Sequence, residues 1–549
     1  MSWIQSALFY HIYPLGLCNA PTENHGGEPV SRIRCIHDWI PHLKRMHINA
    51  IYFSPLWESG THGYDTVDYT TLDRRLGTNE DLEVLCKALH ENGIRIVLDG
   101  VFNHVGRGFF AFQDLLRNKE QSQYRDWFCN LNFGGSNRFG DPFWYESWHG
   151  CEELVKLNLR NDAVASYLER AILEWIDRYD VDGIRFDAAD CVDRDFFRRI
   201  RRAVKSRKPD CWLMGELIHG DYAQWANPEM LDSSTNYECW KGIWSSHNDK
   251  NYFEINYGIN RQSGQHGIYK NLLLYNFADN HDVSRLASQL KDERHLPLVY
   301  ALLYAMPGIP SVYYGSEFAL KAEKCKDSDW NLRPALDIHA LCGERSSLCA
   351  FLYGLGALYA AYPVLHEGAF ATVEVRNQQL VFRRGEGDSA LYCVLNLADT
   401  QATLPLPISG DGWVNLFTDT AVEANGQIVM APCSAAWIAK KIENAQEDTP
   451  ALMAAERFEK KDCPVAESVS VSASTSEPAP LDPVREAIVQ MLSADTLPVE
   501  QLAQQSGVSA AMIRQLLHGD GEPTIGMLQQ LADAKGLQMK LLFCPKESC

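Results

Sequence analysis

An alternation of short apolar strands with amphipathic helices, repeated through residues 7–317, constrains the fold of this chain more than any other feature. Between the strands, apolar residues recur every three to four positions, as in 79–93 and 161–180, which is typical of helices that pack against a sheet. Eight such units fit a (β/α)8 barrel better than an open sheet. We therefore predict an α/β fold with a TIM barrel over residues 1–360. The predicted strands are 7–14, 50–55, 95–102, 183–189, 211–217, 233–239, 273–280 and 309–315.

Four further regions differ from the barrel in their patterning. After the third predicted strand, residues 105–157 are irregular and aromatic, which predicts a small inserted subdomain over the barrel mouth. Short alternating strands at 365–442 predict an antiparallel β-sandwich. Composition rich in Ser, Ala and Pro predicts a flexible linker within 445–483. Helical patterns then return at 484–549 and predict a separate small all-α module.

The formal charge of −20 disfavours nucleic acids and anionic membranes as partners, because the surface as a whole repels phosphate groups. No apolar run approaches the length of a membrane span. The first residues carry neither a basic segment nor a small-residue cleavage site, so no signal peptide is predicted. Sixteen cysteines are scattered without metal-ligand spacing, which indicates thiols in a reducing compartment. We expect a cytoplasmic protein with a neutral ligand.

Polar residues gather where the predicted strands end. In "GIRFDAAD" (183–190) side chains alternate, so Arg185 and Asp187 face one way while Ile184 and Phe186 face the other. One such pair could be a structural ion pair. In a barrel, however, the carboxyl ends of all strands meet at one mouth, which favours a catalytic site. The polar residues at these ends are Tyr64, Asp65, Asp99, Asn103, His104, Arg185, Asp187, Glu216, His281 and Asp282.

The motifs that carry these residues resemble a known family. "DGVFNH", "GIRFDAAD", "GEL" and "FADNHD" occur in the order of the four motifs of the α-amylase superfamily, glycoside hydrolase family 13. "HGYDTVDY" and "GIPSVYYGSE" match the family as well, so the resemblance covers roughly residues 7–442. "LVKLN" (154–158) is similar to the fifth motif of the neopullulanase, cyclomaltodextrinase and maltogenic amylase branch.

This resemblance implies roles for the strand-end residues. Asp187 would be the nucleophile and Glu216 the general acid/base. Asp282 would grip sugar hydroxyls as the transition state forms. The histidines would hydrogen-bond sugar hydroxyls and the tyrosine would stack on the sugar ring. The substrate-binding residues that the family implies are Tyr64, His104, Arg185 and His281.

Retaining glycoside hydrolysis gives an independent physical reason for this set. It needs two carboxyl groups about 5 Å apart, one ionised to attack and one protonated to donate. Arg185, on the same strand face as Asp187, would hold the nucleophile ionised by charge pairing. Apolar neighbours of Glu216, such as Leu213 and Leu217, would raise its pKa, as an acid catalyst requires.

Several nearby residues have less specific assignments. Asp99 and Asn103 are expected to brace their neighbours rather than to touch substrate. Arg333, after the eighth strand, is a further candidate for substrate contact. Three aromatic residues could line outer sugar subsites or form the core of the inserted subdomain; they are Trp144, Tyr145 and Trp148.

The chain also departs from the family pattern. Residues 188–191 read Ala-Ala-Asp-Cys where many relatives have a basic residue and His, which argues against an amylase-type calcium site and the usual contacts on the leaving-group side. Ile218 stands where relatives often carry Trp. No N-terminal β-domain precedes the barrel, although the branch suggested by "LVKLN" has one. No organic cofactor is implied, and calcium, although compatible with the family, is not supported.

Together these features predict a retaining hydrolase of α-1,4 bonds in maltooligosaccharides, cyclomaltodextrins or related α-glucans. A transglycosylase would use the same intermediate and pass it to a sugar instead of water, and the sequence leaves this choice open. A non-catalytic sugar-sensing regulator is an alternative of another class, against which the complete set of acids argues. The chain could also form a homo-oligomer.

The C-terminal module resembles a phage-repressor-type helix-turn-helix over residues 499–543, with Gly507 in the turn. DNA binding does not follow from that resemblance. Residues 484–549 hold five Lys or Arg against seven Asp or Glu, and the attached barrel is acidic as well. We therefore expect self-association or protein contacts rather than DNA binding.

Overall fold

The computed structural model describes residues 2–326, 328–343 and 346–442, together with Ser506, Val508 and Ile513. Within these residues, eight parallel strands form one sheet, in the order Tyr275–Phe277, Ile309–Tyr313, Phe9–Ile12, Ala50–Phe53, Arg95–Gly100, Gly183–Phe186, Trp212–Gly215 and Ser233–Ser234. A parallel bridge between Thr235 and Tyr275 joins the two ends of this order. The sheet is therefore closed, and the predicted (β/α)8 barrel is confirmed.

The barrel strands coincide with the eight predicted ones, and helices lie between them. The strands are β1 Phe9–Ile12, β2 Ala50–Phe53, β3 Arg95–Gly100, β7 Gly183–Phe186, β8 Trp212–Gly215, β9 Ser233–Ser234, β10 Tyr275–Phe277 and β11 Ile309–Tyr313. The helices are α1 Pro14–Leu17, α2 Ile40–Arg45, α3 Asn79–Glu91, α4 Phe110–Asn118, α5 Asp162–Tyr179, α6 Arg194–Arg207, α7 Tyr237–Asn248, α8 Tyr252–Ser263, α9 Leu286–Gln289, α10 Leu296–Ala305, α11 Ile338–Gly343, α12 Ser347–Ala361 and α13 Val364–Glu367.

Alternation along the strands separates two apolar layers. Phe9, Val97 and Met214 belong to a compact cluster inside the barrel. Their strand neighbours Leu98 and Leu213 belong instead to the large core between the sheet and the helices. Because both faces of the sheet are buried, these strands carry apolar residues on both faces, as is typical of parallel sheets.

The sixth barrel strand is much shorter than predicted. Strand β9 ends at Ser234, whereas the pattern predicted a strand to residue 239. The side chain of Asn236 accepts a hydrogen bond from the backbone N–H of Cys239 and caps helix α7. A helix cap in this position ends the strand early.

An inserted subdomain follows β3, as predicted. Its three antiparallel strands are β4 His104–Gly106, β5 Ser147–Trp148 and β6 Cys151–Lys156, with β6 in the middle. Phe112 of helix α4 packs against Tyr145 of the insert. A partly buried ion pair between Arg107 and Asp141 (2.7 Å) holds the loop. The subdomain starts directly at the end of a barrel strand, so it places side chains beside the mouth.

The region after α13 forms the predicted antiparallel β-sandwich. Its strands are β12 Phe370–Val375, β13 Gln379–Arg384, β14 Leu391–Asn396, β15 Ala402–Pro405, β16 Trp413–Asn415, β17 Thr420–Ala421, β18 Gln427–Met430 and β19 Ser434–Lys440. Strands β15 and β18 pair with each other, and the other six form the larger sheet. Leu404 and Ile438 lie in the core between the sheets. Trp437 donates to the carbonyl of Ala301 (3.2 Å), which fastens the sandwich to α10.

The remaining predicted regions lie outside the described residues. These are the linker at 445–483 and nearly all of the module at 484–549. Contacts divide the chain into Met1–Glu459 and Lys460–Cys549, and the architecture above belongs to the first unit. Within the described ranges, no helix has the length and apolarity needed to cross a bilayer.

Candidate active site

The candidate site lies at the carboxyl ends of the barrel strands. Parallel pairing sets Asp99 of β3 beside Arg185 of β7, and Arg185 beside Met214 of β8. Asp187 follows β7 and Glu216 follows β8. Register alone therefore brings these acids around one arginine, although they are far apart in sequence.

Arg185 is the hub of the site. Its Nη1 donates to Oδ1 of Asp187 (2.9 Å) and to both carboxylate oxygens of Asp99 (2.9 and 3.0 Å). Its Nη2 lies 2.8 Å from Oε1 of Glu216. The backbone N–H of Ala188 donates to the other oxygen of Glu216 (3.1 Å). One buried guanidinium thus holds three carboxyl groups in place.

Burial dominates the titration of the two central acids. It raises the pKa of Glu216, and Arg185 opposes that shift, so the predicted direction is confirmed. Burial also raises the pKa of Asp187 well above its usual range, and Arg185 offsets this only in part. The expectation that Arg185 would hold Asp187 ionised is therefore wrong in its net direction. The neighbouring carboxyl groups of Glu216 and Asp99 add to the effect of burial, and together they outweigh the charge of Arg185.

Asp282 has the opposite balance. Burial would raise its pKa, but His281 and Arg333 outweigh burial and lower the pKa below the usual range. Nε2 of His281 lies 3.0 Å from Oδ2 of Asp282, and Arg333 lies 3.0 Å from Oδ1. Asp282 is thus held ionised from both sides.

Tyr64 lies in the same cluster. Its ring is parallel to that of His281, with centroids 5.5 Å apart. Its hydroxyl contacts Nε2 of His281 and donates to Asp99 (3.1 Å). Tyr52 donates to the same oxygen of Asp99 (2.6 Å). Asp99 thus contacts Arg185 and two tyrosines, which agrees with its predicted bracing role.

His104 is the first residue of β4, at the edge of the inserted subdomain, and its side chain is buried. Burial lowers its pKa to about 3, so the ring is neutral. Asn103 donates to its Nδ1 (3.2 Å), which assigns the proton to Nε2. The ring of His104 also interacts with the backbone of Tyr64. The indole N–H of Trp148, whose ring lies 5.8 Å from that of His104, is buried and has no hydrogen-bond partner among the described residues.

The aromatic residues of the subdomain have different surroundings. Tyr145 is buried and donates to the carbonyl of Glu152 (2.6 Å), so it belongs to the subdomain core. Trp148 lies beside His104. Trp144 is 41% exposed on the subdomain surface. The core position is thus confirmed for Tyr145, and the lining of outer sugar subsites stays a prediction.

Sequence reasoning missed two groups that complete the site. Tyr52 is on β2, two residues after Ala50, and both side chains face the inside of the barrel. This period-two spacing in the sequence could have identified Tyr52 as an inward-facing residue. Tyr13 donates to the carbonyl of His62 (2.6 Å), and its ring lies under the guanidinium of Arg333 (4.5 Å). No sequence pattern indicated that contact, because it joins the loops after the first and eighth strands.

Metal ligands do not assemble at this site. Across the residues that the structure describes, no group of three or more His, Cys, Asp or Glu side chains is arranged to hold a metal ion. The donor set at the mouth is instead bound to arginine and histidine.

Comparison with known families agrees with this arrangement. A family model described as "Alpha amylase, catalytic domain" matches residues 22–335. A "Domain of unknown function (DUF3459)" matches residues 368–437, within the sandwich. A "DprA winged helix domain" matches residues 472–518, a range that begins in the predicted linker and overlaps the helix-turn-helix-like stretch. The closed barrel and the family match together identify a hydrolase of the (β/α)8 class. The chain belongs to the α-amylase family.

Named relatives and a solved structure are similar to more than half of the chain. A cyclomaltodextrinase from Bacillus sp is 29% identical over 72% of this chain and 73% of its own. An intracellular maltogenic amylase from Bacillus subtilis (strain 168) is 30% identical over 58% of this chain and 57% of its own. Among solved structures, the ligand-free cyclic alpha-maltosyl-(1→6)-maltose hydrolase from Arthrobacter globiformis superposes with a TM-score of 0.69 at 25% identity, covering 80% of this chain and 100% of that one.

Proposed function

We propose that the protein is a retaining α-glucan hydrolase that cleaves α-1,4-glucosidic bonds by double displacement. The observation that carries this proposal is that Asp187 and Glu216 contact two nitrogens of the same guanidinium, that of Arg185. The shared partner holds the carboxyl groups side by side, in keeping with the separation of about 5 Å that a covalent glycosyl-enzyme requires. An inverting enzyme needs a wider gap to admit water.

In the first step, Asp187 attacks the anomeric carbon while Glu216 gives its proton to the glycosidic oxygen. The bond between C1 and that oxygen breaks, and the sugar remains esterified to Asp187. In the second step, a water molecule attacks C1 while Glu216 removes its proton. The bond between C1 and Asp187 then breaks. Asp282, which is held ionised, accepts hydrogen bonds from the sugar hydroxyls.

The charge balance of the site explains why one of the two catalytic acids stays protonated. Asp99, Asp187 and Glu216 surround one guanidinium, and burial raises the pKa of the last two. We therefore infer that Asp187 and Glu216 hold one proton between them. The reaction requires that proton on Glu216, beside the leaving oxygen, and the negative charge on Asp187.

Substrate choice rests on the activities of the relatives. Their names specify cyclomaltodextrins, a maltogenic amylase reaction and a cyclic maltosyl-maltose. We propose short neutral maltooligosaccharides and cyclic α-glucans as substrates, because the indole N–H of Trp148 is an uncharged donor without an acceptor and the ring of His104 beside it is neutral. Transfer to a sugar acceptor would proceed through the same ester at Asp187.

Product analysis tests the proposal. The full-length protein is incubated with maltoheptaose, pullulan, β-cyclodextrin and cyclic maltosyl-maltose, and products are followed by chromatography and anomeric NMR. We expect initial products of α configuration. Initial β products would contradict double displacement, and products longer than the substrate would identify a transglycosylase. A folded protein inactive on every substrate would support the sensor hypothesis.

Location and the C-terminal module complete the proposal. We infer a cytoplasmic enzyme, supported by the similarity to an intracellular maltogenic amylase.

For residues 484–549 we propose protein contacts or self-association and not DNA binding, because acidic residues outnumber basic ones there. Fluorescence anisotropy with random duplex DNA at low salt tests whether the module binds DNA. Sedimentation velocity of the full chain tests self-association. Tight, salt-sensitive DNA binding would overturn this assignment.

A further inference from the structure

Two cysteines meet between α1 and the following 3-10 helix. The Sγ atoms of Cys18 and Cys35 lie 3.4 Å apart. Cys18 directly follows α1 and is buried, whereas Cys35 lies within the 3-10 helix Arg32–Trp39 and is half-buried. Both are free thiols. Their sulfur atoms already touch, so only a small displacement separates this contact from a covalent bond.

The two thiols differ in a way that suits thiol–disulfide exchange. The hydrogen bond between the two thiols lowers the pKa of Cys35. That hydrogen bond and burial raise the pKa of Cys18. The more exposed thiol is therefore the one that ionises more readily, and it can react with a partner from solution. The buried thiol is placed to react with it afterwards.

We propose that Cys18 and Cys35 form a reversible disulfide modification site whose oxidant is a small-molecule disulfide such as oxidised glutathione. The thiolate of Cys35 attacks one sulfur of the oxidant and expels a first small thiolate, which leaves a mixed disulfide. Cys18 then loses its proton, attacks Sγ of Cys35 and expels the second small thiolate. Two electrons pass from the protein thiols to the oxidant, and the two protons end on the released thiols.

The bridge would fasten the segment between α1 and the 3-10 helix Arg32–Trp39. It encloses residues 19–34, a loop already anchored where Arg75 donates to the carbonyls of Pro21 and Thr22 (3.0 and 3.1 Å). Closing a loop of this length restricts the unfolded chain and stabilises the native one. Because the sulfur atoms are already in contact, we expect the oxidised protein to resist heat better while its activity changes little.

Peptide mapping tests the modification. The full-length protein is treated with oxidised glutathione, alkylated and digested with trypsin. Cleavage after Arg32 and Arg34 places Cys18 and Cys35 in separate peptides unless they are bridged. We expect a linked peptide containing both, and a thermal midpoint higher by several degrees, with both effects reversed by dithiothreitol.

Two serine variants serve as the comparison. Cys35→Ser, at the half-buried position, should abolish the linked peptide and the thermal shift. Cys151→Ser, at an exposed cysteine remote from the pair in sequence, should retain both. The proposal is overturned if the glutathione adduct on Cys35 persists without a linked peptide, if the pair does not react, or if Cys35→Ser shows the same thermal shift. Cys18→Ser repeats the test if the first variant folds poorly.

Discussion

The guanidinium of Arg333 lies 3.0 Å from Oδ1 of Asp282, although the two residues follow different strands of the barrel. Arg333 also donates to the backbone carbonyl of His281 (3.1 Å), and the ring of Tyr13 lies against its other face. Its side chain is almost fully buried. Arg333 therefore orients Asp282 and helps to keep it ionised, in addition to any contact it makes with the sugar.

Replacing Arg333 should reduce turnover without unfolding the protein. In Arg333→Met the carboxylate of Asp282 loses a charged partner and its fixed orientation, and we expect kcat/KM to fall by about 10²-fold. Arg333→Lys keeps the charge but not the planar contact, so it should be intermediate. Arg202→Met, at an exposed arginine of α6, is the matched control. Unchanged kinetics of Arg333→Met on maltoheptaose would refute this role.

Removing either central carboxyl should nearly abolish turnover. Asp187→Asn deletes the nucleophile and Glu216→Gln deletes the proton donor, and each change is close to isosteric. We expect kcat to fall by at least about 10³-fold in both variants, with thermal midpoints near that of the wild type. Asp190→Asn, an exposed acid three residues after the nucleophile, should remain active. Wild-type rates in either variant would remove Asp187 or Glu216 from its assigned role.

The elements that sequence reasoning located correctly are those with a local signal. Strand ends with alternating side chains, such as Arg185 and Asp187, were predictable because period two is a property of the strand itself. The contacts of Arg185 with Asp99 and Glu216 depend on the register of three strands, and no local pattern specifies that register. The same reason explains the wrong expectation for the pKa of Asp187: the number of carboxyl groups that share one guanidinium is a property of the assembled site.

The opposite end of the barrel carries another buried acid with a different function. Asp182, which is fully buried just before β7, contacts His90 (2.8 Å), Arg95 (2.7 Å) and Lys208 (2.9 Å). Its carboxylate also accepts from the backbone N–H of Ile96 (3.0 Å). Burial would raise its pKa, but these hydrogen bonds outweigh burial and lower it well below the usual range. Residues at this face of a barrel contribute to stability rather than to catalysis.

We expect Asp182→Asn to destabilise the protein in a pH-dependent manner. Because the folded-state pKa is lowered, the carboxylate stabilises the fold fully above its unfolded pKa of about 3.9, and the contribution is lost as pH falls towards the folded value. Near neutral pH the variant should lose about 3 kcal/mol in the free energy of unfolding. Denaturant titrations from pH 7 down to pH 3 should show the gap narrowing. A gap that is constant or widens on acidification would contradict the assignment.

Chelation should leave the enzyme active. The acids at the mouth are bound to Arg185, Arg333 and His281, and no metal-type cluster occurs among the described residues. We expect dialysis against EDTA to change kcat by less than about twofold and the thermal midpoint very little, in contrast to proteins in which metal binding contributes to folding. Re-addition of calcium is the control. A loss of activity that calcium restores would establish a metal requirement.

The enzyme should also function without its C-terminal module. Every residue assigned a role in catalysis lies before the last sandwich strand, which ends at Lys440. The sandwich is fastened to the barrel by buried contacts such as Trp437 with Ala301, so a chain of residues 1–445 retains a complete core. We expect this truncated protein to keep kcat within about twofold of the full chain. Sedimentation velocity on both proteins shows whether the module changes the oligomeric state. If truncation abolishes activity while the barrel stays folded, the module must complete the site, through assembly or direct contact.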